Sequence, residues 1–185
     1  MHASTLRIAA ALAGVVLASS PLAAQGGSRP TFGVSGGIAF PTGNFGDGFK
    51  SGYDVAAHLG FQPATLPVGL RIEGMYNRFD LKGSNQFDVH TNLLALTGNA
   101  VLAPKSSTEG SLRPYGIGGI GVYNVKTSAK DAGDAGSDTK FGLNVGAGLE
   151  LPLSGISTFV EARYHHVFGD GGSLGFIPVV VGVKF

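Results

Sequence analysis

The stretch FVEARYHHVF, Phe159 to Phe168, places an acid, a base and two adjacent histidines within six residues: Glu161, Arg163, His165 and His166. With Ser173 a few positions on, a histidine and a carboxylate are the base and orienting acid that a nucleophilic hydroxyl needs. A His-x-Ser arrangement is absent, because Val167 stands two residues after His165 and Phe168 two after His166. Two other motifs carry less. GIGGIG matches G-x-G-x-x-G at Gly116, Gly118 and Gly121, but a dinucleotide fingerprint needs a helix next, and VYNVK continues as strand. KDAGDAGSD spaces Asp131, Asp134 and Asp138 without the Asp-x-Asp-x-Asp order and closing Glu of a calcium loop. With no cysteine there is no thiolate metal site and no disulfide, so neither a metal nor a cofactor is expected.

The elements that position these residues alternate with a period of two. Eight such segments, roughly 31–41, 52–62, 67–80, 87–103, 112–125, 139–151, 156–168 and 175–185, are separated by Gly, Pro, Asn and Asp clusters, and none shows a helical stripe. In the second, Tyr53, Val55, Ala57, Leu59 and Phe61 share one face, and Asp54, Ala56, His58 and Gly60 share the other. The first and sixth sort the same way, into a large apolar face and a face of Gly, Ala, Ser and Asn with an occasional charge. A face that met water would be rich in Lys, Glu, Thr and Gln. Small residues suit instead the narrow interior of an eight-stranded barrel, which side chains just fill, so the apolar faces are expected to point outward to lipid.

Composition agrees. Charged residues make up 14% of the chain, and Gly 31 of 185 residues; soluble domains average about 25% charge and about 7% Gly. Residues 1–24 read as a cleavable signal peptide: Arg7, an apolar run from Ile8 to Ala18 too short to span a bilayer, and small residues before a cleavage point near Ala24. Residues 25–185 then form one barrel domain. Removing Arg7 leaves 12 basic against 12 acidic residues, with no basic excess to attract nucleic acid. Strand lengths fit the 9–11 residues of a tilted membrane strand. TGNFGDGFKS, LKGSNQ, KTSAKDAGDAGSD and GDGGS read as outer loops, and PATLP and PLSG as tight turns. Pro114 and Pro178 sit inside expected strands, where a bulge or a late strand start is anticipated.

Strand parity recasts the opening cluster. Glu161, Arg163 and His165 fall on the inward face of the seventh segment, and His166 on the outward face. In the third segment Arg71, Glu73, Met75 and Asn77 face in. Segments three and seven lie on opposite walls of an eight-stranded barrel, so a lumenal network is expected, Arg71 with Glu161 and Glu73 with Arg163. Two acids and two bases leave no buried charge over. Glu150 and Lys184 flank the seventh segment and extend the network toward the periplasmic end, and His165 stands at the outer end of the lumen, placed to cap or titrate it.

GIAFPTGNFGDGFKSGYDVAAHLGF, RPYGIGGIGVY and above all the terminal FIPVVVGVKF resemble the outer-membrane β-barrel domain family, the small eight-stranded OmpA- and OmpX-like proteins. The likeness covers essentially the whole chain after the signal. It implies an all-β fold: an eight-stranded antiparallel up-and-down transmembrane β-barrel in the outer membrane. It implies outer-membrane lipid, periplasmic chaperones and the barrel-assembly machinery as partners, with Ile177, Val179, Val181, Val183 and Phe185 as the assembly signal. The expected role is non-enzymatic, in the envelope or at the cell surface, with the lumen plugged. A small passive porin-like channel is the alternative; a lipid-modifying enzyme and a soluble lipocalin-like periplasmic barrel fit less well.

Overall fold

Strands whose side chains alternate between large apolar and small or polar faces bury both only by curling into a closed sheet, one face outside and one inside. The computed structural model has this form. It describes residues 30–63, 66–83, 89–104, 111–129, 133–169 and 172–185; the expected signal peptide lies outside them. In order come β1 (Pro30–Thr42), a six-residue helix α1 (Gly43–Gly48), β2 (Gly52–Phe61), β3 (Val68–Asp80), β4 (Val89–Leu102), β5 (Arg113–Ala129), β6 (Gly133–Pro152), β7 (Ser157–Val167) and β8 (Leu174–Lys184). Each strand pairs antiparallel with the next and β8 returns to β1, closing the barrel.

The closing seam is continuous. Register runs from Gly33 opposite Lys184 to Thr42 opposite Gly175, and Phe32 and Phe185 exchange backbone hydrogen bonds of 3.2 and 2.8 Å. The last residue is therefore part of the wall. Gly37 faces inward at this seam, and a Cβ built there would run into the Val179 carbonyl and the Val180 Cα. Only glycine lets β1 and β8 approach so closely.

The outer surface is apolar. Ile72, Val145 and Val181 are 60%, 63% and 62% exposed. Left in water, each would forgo roughly 1.5–3 kcal/mol of transfer free energy. Aromatic side chains fringe this aliphatic belt, with Phe32, Phe61 and Phe185 at the end that holds both termini and Phe40, Tyr53, Tyr164 and Phe168 toward the other. That is the disposition of residues at the two faces of a bilayer.

Three expectations need correction, and the one for Pro114 holds. KTSAKDAGDAGSD is mostly paired strand, since Ser128 opposes Asp134 and Ala129 opposes Gly133 across a register shift between Lys126 and Ser128. Its Gly and Asp are loop formers, but two strands already side by side continue pairing at little further entropic cost. TGNFGDGFKS contains α1, which buries none of its own residues and makes no side-chain cap. Pro114 is the second residue of β5, ahead of the pairing with β4 that begins at Gly116, as a late start requires. Pro178 causes neither bulge nor late start: it opposes Ala39 in β1, and between β7 and β8 the register passes from Ala162–Val179 to His165–Phe176 without a shift. The missing donor leaves a gap in one ladder instead.

A side chain at Gly37 should therefore damage closure. Gly37→Val is expected to lower the urea midpoint of the detergent-refolded barrel by about 1–3 kcal/mol equivalent. Gly36→Val should shift it little, because the nearest atoms to a Cβ there lie 3.6 and 3.9 Å away in ordinary contact. The readout is the electrophoretic shift between folded and heat-denatured bands.

Candidate functional site

The interior is where this chain keeps its ionisable chemistry. Arg71 and Glu73 project from β3 and Glu161 and Arg163 from β7, all four at most 8% exposed. Arg71 Nη1 donates to Glu161 Oε2 at 2.7 Å, and Arg163 Nη2 donates to Glu73 Oε1. The side pairs close a ring: Arg163 Nε lies 2.7 Å from Glu161 Oε1, in contact but not aligned for a hydrogen bond, and Arg71 Nη1 lies 3.8 Å from Glu73 Oε2. Two charges of each sign cancel within one layer of the barrel. Taking ions from water costs several kcal/mol each, and only such dense pairing offsets it.

Further groups complete the layer. Tyr115 of β5 donates to Glu161 Oε2 at 2.7 Å, and the Arg71 guanidinium stands 5.7 Å from the Tyr115 ring and 5.8 Å from that of Phe159. Asn144 Nδ2 donates to Asn99 Oδ1 at 2.8 Å, and Asn99 Nδ2 donates to Thr97 Oγ1 at 2.9 Å. His58 Nδ1 approaches Glu73 Oε2 at 3.9 Å. Lys184 donates to Glu150 Oε2 at 2.6 Å across β7, a half-buried pair toward the termini that binds within itself.

Outward of the ring the packing becomes largely apolar, with Asp54, Asn77 and Thr91 buried among the apolar side chains. Met75, Phe79, Leu93, Val167 and Phe176 pack together, and Phe45 and Phe49 lean in from α1 and the residue after it. Phe45 meets Phe79 edge-on at 5.1 Å between centroids, and Phe79 meets Phe176 at 5.7 Å. His165 lies within this packing rather than at an open mouth. It is fully buried, stacked on Phe176 at 4.8 Å with 16° between planes, and its Nδ1 shares a 2.9 Å hydrogen bond with the Tyr123 hydroxyl. It lies two residues outward of Arg163 on β7, enclosed by the Tyr123 and Phe176 rings.

The structure also separates the residues of the supposed triad. Ser173 is exposed beyond the end of β7 while His165 is buried, and His166 Nδ1 lies outside, 3.3 Å from Tyr164. GIGGIG lies within β5, and the chain continues as strand to Ala129. Of the loop aspartates, Asp131 lies outside the described residues and Asp138 pairs with Lys140 at 2.7 Å.

Sequence reasoning left Tyr115, Tyr123, Thr97 and Asn99 unassigned. β4 and β5 lack a clean alternation: Gly116 and Gly118 share the outward face with Ile120, while Gly119 and Gly121 share the inward face with Ile117. The usable signal is that Tyr115 and Tyr123 have the same parity, eight residues apart on one strand.

Removing one charge from the ring strands its partner. Arg71→Met is expected to cost about 3–5 kcal/mol, and adding Glu161→Gln should restore part of that loss, with a coupling of about 1–3 kcal/mol in a double-mutant cycle. Strictly additive costs in urea titration would mean that the two side chains contribute only packing.

The comparisons with known proteins follow this geometry. The family model for the outer membrane protein beta-barrel domain matches residues 9–185. Among solved structures the chain is similar to Neisserial surface protein A, with a TM-score of 0.68 at 14% identity, covering 85% of this chain and 97% of that one. A major outer membrane protein of Thermus thermophilus superposes with a TM-score of 0.59 at 14% identity, covering 85% and 98%. Ail, the attachment invasion locus protein of Yersinia pestis, reaches 0.51 at 20% identity, covering 85% and 97%. No match is found among curated protein sequences. With the whole described chain in one closed barrel and the family model spanning it, this is an outer-membrane protein that belongs to the outer membrane protein β-barrel domain family.

Proposed function

We propose that the chain is a closed, non-conducting barrel whose role is structural in the envelope or interactive at the cell surface, and that it is not an enzyme. One observation carries this reading: the lumen is filled at two levels by unlike means, a neutral ring of Arg71, Glu73, Glu161 and Arg163 at mid-barrel and an apolar packing of Phe45, Phe79 and Phe176 beyond it. An ion entering from outside would have to displace packed aromatics and then break paired charges. Either step alone is costly in a low-dielectric interior.

The surface role draws support from the chain's form beyond the belt. β5 and β6 pair on to Ala129 and Gly133, and α1 is laid over the mouth, so ordered backbone is presented outward. The neighbours' names point the same way, Neisserial surface protein A and the attachment invasion locus protein Ail, the latter solved with the heparin analogue sucrose octasulfate.

Planar-bilayer recording tests the closed lumen. The refolded protein is expected to give no stable conductance steps in molar salt, and the variant Arg71→Ala with Glu161→Ala and Phe45→Ala should give measurable flickering. Stable, uniform openings of the unmodified protein would replace this reading with the passive channel.

A further inference from the structure

On one wall of the barrel, a row of polar side chains above the apolar belt points out rather than in. Register sets Tyr53 of β2 beside Arg78 of β3, Arg78 beside Asn92 of β4, and Asn92 beside Lys126 of β5. Their sequence neighbours Asn77, Phe79, Thr91 and Leu93 are buried in the lumen and Val125 packs against its apolar cluster, so strand parity turns Arg78, Asn92 and Lys126 outward. Ile72, Leu94 and Val122 continue the same outward faces downward as exposed belt residues. Tyr53 and Tyr76, with ring centroids 6.0 Å apart, stand where belt meets row. Such amphipathic rings sit at headgroup level. The row therefore faces neither the lumen nor bulk water, but the headgroups of the outer leaflet.

Its geometry is that of an anion cradle. Tyr76 donates its hydroxyl hydrogen to Asn92 Oδ1 at 2.9 Å, which fixes the amide and turns its donor Nδ2 the other way. Adjacent strands are about 4.8 Å apart, so the Arg78 and Lys126 backbones flank Asn92 at a separation of about 10 Å. Across that gap the outward face carries two long basic residues with an amide between them. Asp80 approaches Arg78 Nε at 3.7 Å, beyond hydrogen-bond length, so that contact takes up none of the guanidinium's hydrogen bonds. On the opposite wall the same level carries Tyr164, His166 and Phe168, with no Lys or Arg among the described residues of that strand end.

We propose that Arg78, Asn92 and Lys126 form a site for the phosphate of an anionic lipid in the outer leaflet, with Tyr53 and Tyr76 seating the lipid beneath its headgroup. The site would fix one face of the barrel against its annular lipid. Native mass spectrometry of the refolded barrel tests it, released from nanodiscs holding equal phosphatidylglycerol and phosphatidylcholine of matched chains. The unmodified protein should retain phosphatidylglycerol preferentially. Arg78→Gln and Lys126→Gln should each weaken that preference about fivefold, the double variant should abolish it, and Lys50→Gln in the outer loop should leave it intact. Each variant is first required to show the folded, heat-modifiable band. Absence of a preference in the unmodified protein, or a preference that survives the double variant, overturns the proposal. Millimolar inorganic phosphate should leave the retained lipid in place; its displacement would indicate a free-anion site and overturn the lipid assignment.

Discussion

A backbone amide in hydrocarbon has no water to bond, and this constraint shapes everything else in the molecule. It forbids an open sheet edge, so β8 must return to β1, and the final Phe185 is bonded into the wall opposite Phe32. Close return in turn demands glycine where β1 and β8 press together, at Gly37. The abundance of glycine that marks the chain in composition is, at this seam, a steric condition for closing.

Closure inverts the usual distribution of residues. Large aliphatic side chains face outward, and the narrow interior receives what a soluble protein would keep at its surface: two arginines, two glutamates, Asp54, asparagines and histidines. The four charges of β3 and β7 are tolerable there because they cancel locally, within one layer. An aliphatic filling would pack in many ways, whereas four charges in fixed rows admit one register between opposite walls. The apolar packing above the ring, led by Phe79 and Phe176, lowers the polarity around those charges and so strengthens their attraction.

Much of this was legible in the sequence, and the parts that were not share a cause. Parity assigned β2, β3, β6 and β7 to their faces because Val, Leu and Ile there alternate with small or polar residues. It failed in β4 and β5, where Gly occupies both faces and Leu93 and Ile117 point inward, so Tyr115 and Asn99 went unassigned. Alternation reports which face is apolar, and it loses meaning where the lumen itself becomes apolar. That is also why the aromatic packing around His165 was not legible: no pattern in β7 announces that Phe45 and Phe49 fold in from a separate loop. The hairpin beyond Lys126 was hidden because turn-forming residues signal local preference, while pairing there is inherited from the strands below.

The short helix α1 illustrates how lightly a surface can be specified. Three of its six residues are glycine, it has no side-chain cap, and it buries nothing of its own. Its place is set by the Phe45 and Phe49 rings, by the positive φ of Gly43, and by hydrogen bonds that Lys82 makes to the Gly46 and Gly48 carbonyls. Gly46 is held as well, since a Cβ there would meet the Pro41 carbonyl at 2.7 Å. Its exposed side chains, Asn44 and Asp47, are the chemistry that this part of the molecule presents outward.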